Sequence, residues 1–315
     1  MRDLRIVFMG TPDFAVETLK IIVEAGYKVV GVITAPDRPA GRGRKLQQSA
    51  VKQYAIKKGL KVLQPVNLKA EDFLEELRSL EANLQVVVAF RMLPRVVWEM
   101  PQYGTFNLHA SLLPQYRGAA PINWAIINGE TQTGVSTFFI DDKIDTGEMI
   151  MQEKVSISET ESAGELHDKL MTTGANLVLK TIEALQKGPV PTTSQKDAAH
   201  LRFAYKLTRE NTRIDWNQPL ENIFNLVRGL SPYPAAWTTL KNGNDEVMLK
   251  VYKSEPEKAE HSYPIGEIVQ EGKKVKVAVK NGFLELKEIQ LPGKRKMSMK
   301  DLLNGYEFFP NAKVA

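Results

Sequence analysis

The sequence predicts an α/β fold, a Rossmann-like, mostly parallel sheet followed by a second, smaller β-barrel domain. Three observations lead there. Ile6–Met9, Val29–Ile33 and Leu84–Phe90 are short apolar runs, as expected of strands covered on both faces. Segments with helical spacing of apolar residues lie between them, the pattern of βαβ units with right-handed crossovers. After residue 207 the pattern changes to short alternating segments separated by Asn242-Gly243, Glu271-Gly272 and Asn281-Gly282, pairs suited to hairpin turns. At 315 residues the chain is long enough for two domains. We place the first over 1–190, a linker over 191–207, where Pro, Thr and Ser recur without periodicity, and the second over 208–315.

The first helix is expected to open at Thr11-Pro12-Asp13. Thr11 would be the N-cap, Pro12 the first helical residue, and Asp13 would sit near the positive end of the dipole. Gly26 closes that helix. The preceding turn lacks G-x-G-x-x-G, so no dinucleotide cofactor is expected. Pro36–Lys45 is a basic loop broken by Gly and Pro. Helices are expected over 49–58, 70–81, 94–99 and 162–187, and a further one over 118–128, opened by Pro121 and closed by Gly129. Short strands are expected at 61–63 and around Asn107, and a strand pair at 135–140 and 149–155 flanks a loop. In the second domain a helix over 219–229 precedes strands at 247–253, 265–270, 274–280 and 283–289, enough for a small barrel.

Hydrophobic residues make up 43% and charged residues 25%, an ordinary globular composition. The absence of cysteine excludes disulfides, zinc–thiolate centres and a Cys nucleophile. Four widely spaced His give no metal-binding pattern, so no metal is expected. The N-terminal apolar run is too short for a signal peptide, and no run reaches the roughly 20 residues of a membrane span. The expected location is the cytoplasm, without membrane contact. Net charge is +5, unevenly spread: residues 31–61 carry eight cations against one acid, residues 62–199 are net −7, and residues 200–315 are net +5. Basic ends around an acidic middle suggest a polyanionic partner that touches both ends.

Three polar residues carry the chemistry. Asn107 and His109 alternate correctly to share one strand face, about 7 Å apart by strand rise, and Ser111 follows on the same side. Ser111-Leu112-Leu113-Pro114-Gln115-Tyr116-Arg117-Gly118 then breaks regular structure, as loops do at the carboxyl ends of parallel strands where α/β folds bind ligands. Asp145 lies in the loop Asp141-Asp142-Lys143-Ile144-Asp145-Thr146-Gly147. An amide donor, an imidazole and a carboxylate to fix its tautomer suit acyl transfer: a donor for the oxyanion, a base for the proton, and an orienting acid.

These motifs resemble those of the folate-dependent formyltransferases, in the branch that acts on methionyl-tRNA. The resemblance rests on Asn-x-His, Ser-Leu-Leu-Pro-x-Tyr-Arg-Gly and an Asp-Thr-Gly whose Asp follows the His by 36 residues. It extends through Met9–Ala15, Arg117–Ile122, Leu230–Ala236 and Pro292-Gly293-Lys294, and so covers nearly the whole chain. It implies a formyl donor, 10-formyltetrahydrofolate, no metal, and as acceptor the α-amino group of initiator methionyl-tRNA in translation initiation. Carried over, Asn107, His109 and Asp145 are the catalytic set. Ser111, Leu112, Leu113 and Pro114, with Arg91, Met92, Leu93, Asp141 and Asp142, are the folate-contacting residues. Arg38, Arg42, Arg44 and Lys45 in the basic loop are the tRNA-binding residues, with Arg42 the main contact. The second domain is implied to be an OB-like barrel supporting the tRNA, and the protein is expected to be a monomer. One stretch departs from the pattern: Ala89-Phe90-Arg91-Met92-Leu93-Pro94 is one residue shorter than the family's Ala-Tyr-Gly-x-Ile-Leu-Pro and lacks its Gly. Rival readings are an amino-sugar-nucleotide formyltransferase, a formyl-folate hydrolase on the same scaffold, and a non-catalytic tRNA-binding protein.

Overall fold

A computed structural model describes residues 1–40, 45–195 and 200–315. In chain order, its first elements are β1 (Arg5–Gly10), α1 (Asp13–Glu24), β2 (Lys28–Ile33), β3 (Arg38–Ala40), β4 (Lys45–Gln47), α2 (Ala50–Lys57), β5 (Val62–Leu63), α3 (Glu71–Ser79) and β6 (Leu84–Val88). Then come α4 (Arg95–Trp98), β7 (Thr105–His109), β8 (Arg117–Gly118), α5 (Pro121–Ile127), β9 (Gln132–Phe139), β10 (Met149–Ser156), α6 (Ala163–Lys187), β11 (Phe203–Ala204) and α7 (Leu220–Gly229). The rest are β12 (Ala236–Asn242), β13 (Asp245–Lys258), β14 (Ile268–Glu271), β15 (Lys274–Val279), β16 (Gly282–Gln290), β17 (Met297–Ser298), α8 (Met299–Leu302) and β18 (Lys313–Val314). Contacts divide the chain into two compact units: Met1–Gly118, Gln132–Ser156 and His167–Phe203 form one, and Ala119–Thr131, Ile157–Leu166 and Ala204–Ala315 the other.

The first unit is built on a seven-stranded sheet in the order β10-β9-β7-β6-β1-β2-β5. β7, β6, β1, β2 and β5 run parallel, and β9 and β10 close one edge antiparallel. β6 is buried at every position, which explains its nearly continuous apolar pattern, and its one polar residue, Gln85, accepts a hydrogen bond from Thr105 Oγ1 at 2.9 Å. Val7, Met9, Val87, Phe73, Leu74 and Leu77 share a core cluster under α3 and α4. At the carboxyl end of β1 the chain must turn sharply into α1. A Cβ at Gly10 would stand 2.7 Å from the Ala15 Cβ and 3.0 Å from the Val88 carbonyl, so only glycine fits.

Two local expectations are corrected. Pro12, extended at φ −80° and ψ 175°, is itself the N-cap of α1, so the helix begins at Asp13 and Thr11 lies outside the cap. The helix expected over 118–128 is confined to Pro121–Ile127, and Arg117–Gly118 is extended instead. Gly118 sits at φ 126°, incompatible with a right-handed helix, and Pro121 keeps Ala120 out of the helical region.

The second unit is an antiparallel barrel-like sheet in the order β14-β15-β16-β13-β12-β18, with β17 on β16. Its ends meet. Ile268 N–H donates to the Ala312 carbonyl at 2.9 Å, and Val314 N–H donates to Gly266 at 2.8 Å. A Cβ at Gly266 (φ 85°) would lie 2.5 Å from the Val314 carbonyl oxygen, so closure depends on that glycine. β13 spans 14 residues and bends through register shifts around Lys253. The turn pairs sit where the sequence placed them, with Gly243 at φ 60° and Gly272 at φ 61°. The core gathers Ile223 and Val227 of α7 with Leu240, Leu249, Val251, Val277, Leu284 and Ile289. β12 was not among the expected strands. Its inward residues Ala236, Thr238, Leu240 and Asn242 alternate with outward ones, but three of the four are small or polar.

Candidate active site

β7 presents Asn107 and His109 on one face and the buried Phe106 and Leu108 on the other. The second face is taken by a helix: a Cβ on Gly174 of α6 would stand 2.8 Å from Leu108 Cδ2. The first face opens toward the carboxyl ends of β1, β6 and β7, where the registers Gly10↔Val88 and Val88↔Leu108 bring those strands level. Asn107 is half-buried, and its carboxamide has no hydrogen-bond partner among the described residues. His109 is 94% buried.

The ring of His109 is held at one nitrogen and faces a carboxylate at the other. Nε2 lies 2.8 Å from the Tyr116 carbonyl oxygen. A carbonyl only accepts, so Nε2 carries a hydrogen and Nδ1 holds the lone pair of the neutral ring. Nδ1 faces Asp145 Oδ2 at 3.7 Å, too long for a hydrogen bond but within ion-pair range once the ring is protonated. The expected tautomer-setting role of Asp145 is therefore corrected: the Tyr116 carbonyl sets the tautomer, and Asp145 supplies a charge beside the free nitrogen.

Both partners of His109 come from tightly tied loops. Ser111 Oγ donates to the Gln115 carbonyl at 2.6 Å. Ser136 Oγ of β9 accepts from Leu113 N–H at 3.1 Å and donates to the Ser111 carbonyl at 2.6 Å. Gln152 of β10 donates to the Leu113 carbonyl and to Ser136 Oγ. Tyr116, at φ 59°, is held by its N–H donating to the Arg202 carbonyl at 2.7 Å. On the other loop Asp145 is also left-handed, at φ 55°, and its Oδ2 accepts from Gly118 N–H at 3.0 Å. Asp141 closes that loop by accepting from Thr146 Oγ1 at 2.8 Å and Lys143 N–H at 2.9 Å. Gly147 passes so close to β9 that a Cβ would lie 1.7 Å from the Phe139 carbonyl oxygen.

The remaining sequence-predicted residues fall as follows. Leu112 packs against Gly134, and Leu113 is buried ahead of a cis Pro114. Ala89, at φ 48°, takes the left-handed turn in the segment that lacks a glycine. Arg91 donates to the carbonyls of Pro65 and Val66, and burial first, then the charge of Arg38, holds its pKa below the usual guanidinium value. Leu93 is in the core, so only its backbone can serve the crevice. Met92 and Ile144 stay 66% and 63% exposed, leaving apolar surface on the 89–94 and 141–147 loops. Asp142 and Arg38 are exposed. Arg42 and Arg44 lie outside the described residues, as does the side chain of Lys45.

Sequence reasoning missed Gln195, in the stretch read as a linker. Its Nε2 donates to the carbonyls of Asp145 (3.0 Å) and Gly147 (2.7 Å), and its Oε1 accepts two bonds from Arg117, at 3.0 and 2.9 Å. No side-chain pattern marks such a residue, because its partners are mostly backbone.

A family model described as formyl transferase matches residues 4–182, and one described as formyl transferase, C-terminal domain, matches 206–307. The chain belongs to the formyl transferase family. It is 58% identical, over the full length of both chains, to a protein of Flavobacterium johnsoniae named methionyl-tRNA formyltransferase. Among solved structures, a sugar 3N-formyl transferase with dTDP and 5-N-formyl-THF shares the fold at TM-score 0.65 and 19% identity, over 94% of this chain and all of that one. HypX from Aquifex aeolicus in complex with tetrahydrofolic acid matches at TM-score 0.65 and 17% identity, over 96% of this chain and 47% of that one. Among the described residues of this formyl transferase family member, no helix is long and apolar enough to cross a membrane, and no group of three or more His, Asp or Glu could hold a metal ion.

Proposed function

We propose that this protein transfers a formyl group from 10-formyltetrahydrofolate to the α-amino group of initiator methionyl-tRNA, as a cytoplasmic monomer. The observation that carries the reading is the His109–Asp145 pair at 3.7 Å, on the strand face that also offers the unpartnered Asn107 carboxamide. The 58% identical relative named for this activity supports it. The residues fit a carbonyl-bearing donor, because the Asn107 carboxamide, with no hydrogen-bond partner among the described residues, and the lone pair of His109 Nδ1 lie on the same strand face.

Attack of the amine on the formyl carbon develops an oxyanion. Asn107 donates to it, and losing one such donor costs about 2.7–4 kcal/mol of barrier. His109 Nε2–H is committed to Tyr116, so proton traffic passes through Nδ1. Nδ1 takes the proton released by the attacking nitrogen and returns it to the departing folate nitrogen, leaving no net proton gained or lost. Asp145 balances the imidazolium charge between the two transfers. The acceptor amine is itself a competent nucleophile, so the sequence of steps needs no covalent enzyme intermediate. In this reading the basic loop around Arg38, Arg42, Arg44 and Lys45 meets the acceptor stem, and the barrel of 208–315 supports the tRNA.

The deciding experiment supplies 10-formyltetrahydrofolate with methionyl-tRNA, with an amino-sugar nucleotide, or with buffer alone. Formylmethionyl-tRNA in the first arm only is expected. A formylated sugar or free formate as sole product would overturn the reading, as would near-native turnover by a folded His109→Ala protein.

A further inference from the structure

Asp145 occupies a backbone conformation that a residue with a side chain seldom adopts, φ 55°. Such a residue persists only where its surroundings over-determine it. The surroundings here converge on one side chain. Gln195 is 9% exposed, and its carboxamide makes every hydrogen bond it can: Nε2 to the Asp145 and Gly147 carbonyls, Oε1 from two nitrogens of Arg117. Because Arg117 can only donate, its bonds fix which end of the amide is oxygen, and so which end faces the Asp145 loop.

The chain brings Gln195 there deliberately. Met149 and Thr193 form an antiparallel bridge, with N–H···O distances of 2.9 Å both ways, and this lays the segment beside the start of β10 two residues ahead of Gln195. Arg117 is adjacent to Gly118, whose N–H holds the Asp145 carboxylate, and to Tyr116, whose carbonyl holds His109. One amide thus links the loop that carries the acid to the segment that carries the base's orienting carbonyl.

We infer that Gln195 is a positioning residue: through Arg117 it sets the separation of Asp145 from His109 Nδ1, and it acts on turnover only by way of Asp145. The inference rests on the catalytic reading of Asp145 given above. Among the described residues Gln195 hydrogen-bonds to Arg117 and to the Asp145 and Gly147 carbonyls, and to no side chain of the proposed catalytic set.

The test is a double-mutant cycle on the full chain. Gln195→Met keeps the length of the arm and removes both the two donors and the oxygen that accepts from Arg117; Gln195→Glu keeps an acceptor for Arg117 and replaces the donors with a carboxylate oxygen that cannot donate. On the native background each is expected to lower kcat about 10²-fold, the scale of a misplaced catalytic group, with KM for folate and tRNA changed less than about threefold. On an Asp145→Asn background the same changes are expected to cost less than about threefold more, because the carboxylate they position is already gone. Equal losses on both backgrounds, a loss carried in KM, or native kcat in both variants would each overturn the inference. If Gln195→Met and Gln195→Glu both fail to fold, Gln195 is a folding residue and the inference is likewise overturned. Failure of the native protein to formylate methionyl-tRNA would instead strike the functional reading, so the two failures are separable.

Discussion

Because the Tyr116 carbonyl takes Nε2–H of His109, the proposed reaction has to use the nitrogen beside Asp145, and the geometry of two loops decides whether that pair forms. The tightest constraint is at Gly147. Its hypothetical Cβ would lie 1.7 Å from a backbone oxygen, which cannot rotate away as a side chain could. Gly147→Ala is therefore expected to push the Asp145 loop off β9, costing about 1–3 kcal/mol of stability, as overpacking does, and lowering kcat far more than the lost stability explains. Thermal unfolding and single-turnover formylation measured on one preparation check this; native turnover would place the loop outside the chemistry. At this scale Asn107, His109 and Asp145 could be read from the sequence, since each brings side-chain chemistry into a recognisable spacing. Tyr116 could not, because it acts through its carbonyl, and every residue has one. Gln195 could not either, since it binds backbone oxygens from within an aperiodic stretch.

The elements were legible in proportion to how their apolar residues repeat. β6 and α3 bury large aliphatic side chains at regular intervals, so their periods were plain. β12 alternates regularly, but with Ala, Thr, Leu and Asn inward, a weak signal without its neighbours. The basic loop divides the same way. Gly and Pro forbade a long element there, yet Arg38–Ala40 and Lys45–Gln47 pair as a short antiparallel hairpin. Its two stems are anchored in the first unit. Asp37 accepts from Lys52 Nζ at 2.6 Å and Gln64 Nε2 at 2.8 Å, and Ser49 caps α2 while bonding Thr34 Oγ1 at 2.7 Å. The hydrogen bonds from Lys52 and Gln64 hold the Asp37 carboxyl below the ordinary aspartate pKa. A lowered folded-state pKa means the anchor is fully present above the unfolded value and is lost as pH falls through the lowered one. Asp37→Ala is thus expected to be less stable than the native chain at neutral pH, with the gap closing only in acid below about pH 4. It should also raise KM for tRNA while leaving KM for folate unchanged. Urea unfolding across that pH range, with KM for both substrates, checks both; a gap that persists at the acid end would remove Asp37 as the anchor.

Across the whole molecule the charge is arranged in sequence as a basic region of net +7 over residues 31–61, a middle of net −7 over 62–199 that contains Asp145, and a carboxy-terminal stretch of net +5 over 200–315. A small acceptor would need neither basic region, whereas a polyanion held at two places would use both. Each phosphate that a cation neutralises releases a counterion, so log affinity falls with log salt at a slope of about 0.7–0.9 per contact. If Arg42 meets a phosphate of the acceptor, Arg42→Ala is expected to raise KM for tRNA at low salt and to flatten its salt dependence by about one contact's slope. The two proteins would then converge at high salt, where screening has already removed the contact. KM for folate and turnover at saturating tRNA should stay as in the native protein, because the proposed mechanism assigns the chemistry at the formyl carbon to Asn107, His109 and Asp145 and none of it to Arg42. Measuring tRNA KM at four or five salt concentrations separates this from a general loss of net charge. Lys300→Ala, which removes an exposed barrel cation, serves as the control: it lowers the net charge equally and is expected to leave the slope alone. An unchanged slope for Arg42→Ala would reduce the hairpin to solvated charge and shift the search for the tRNA contact to the barrel.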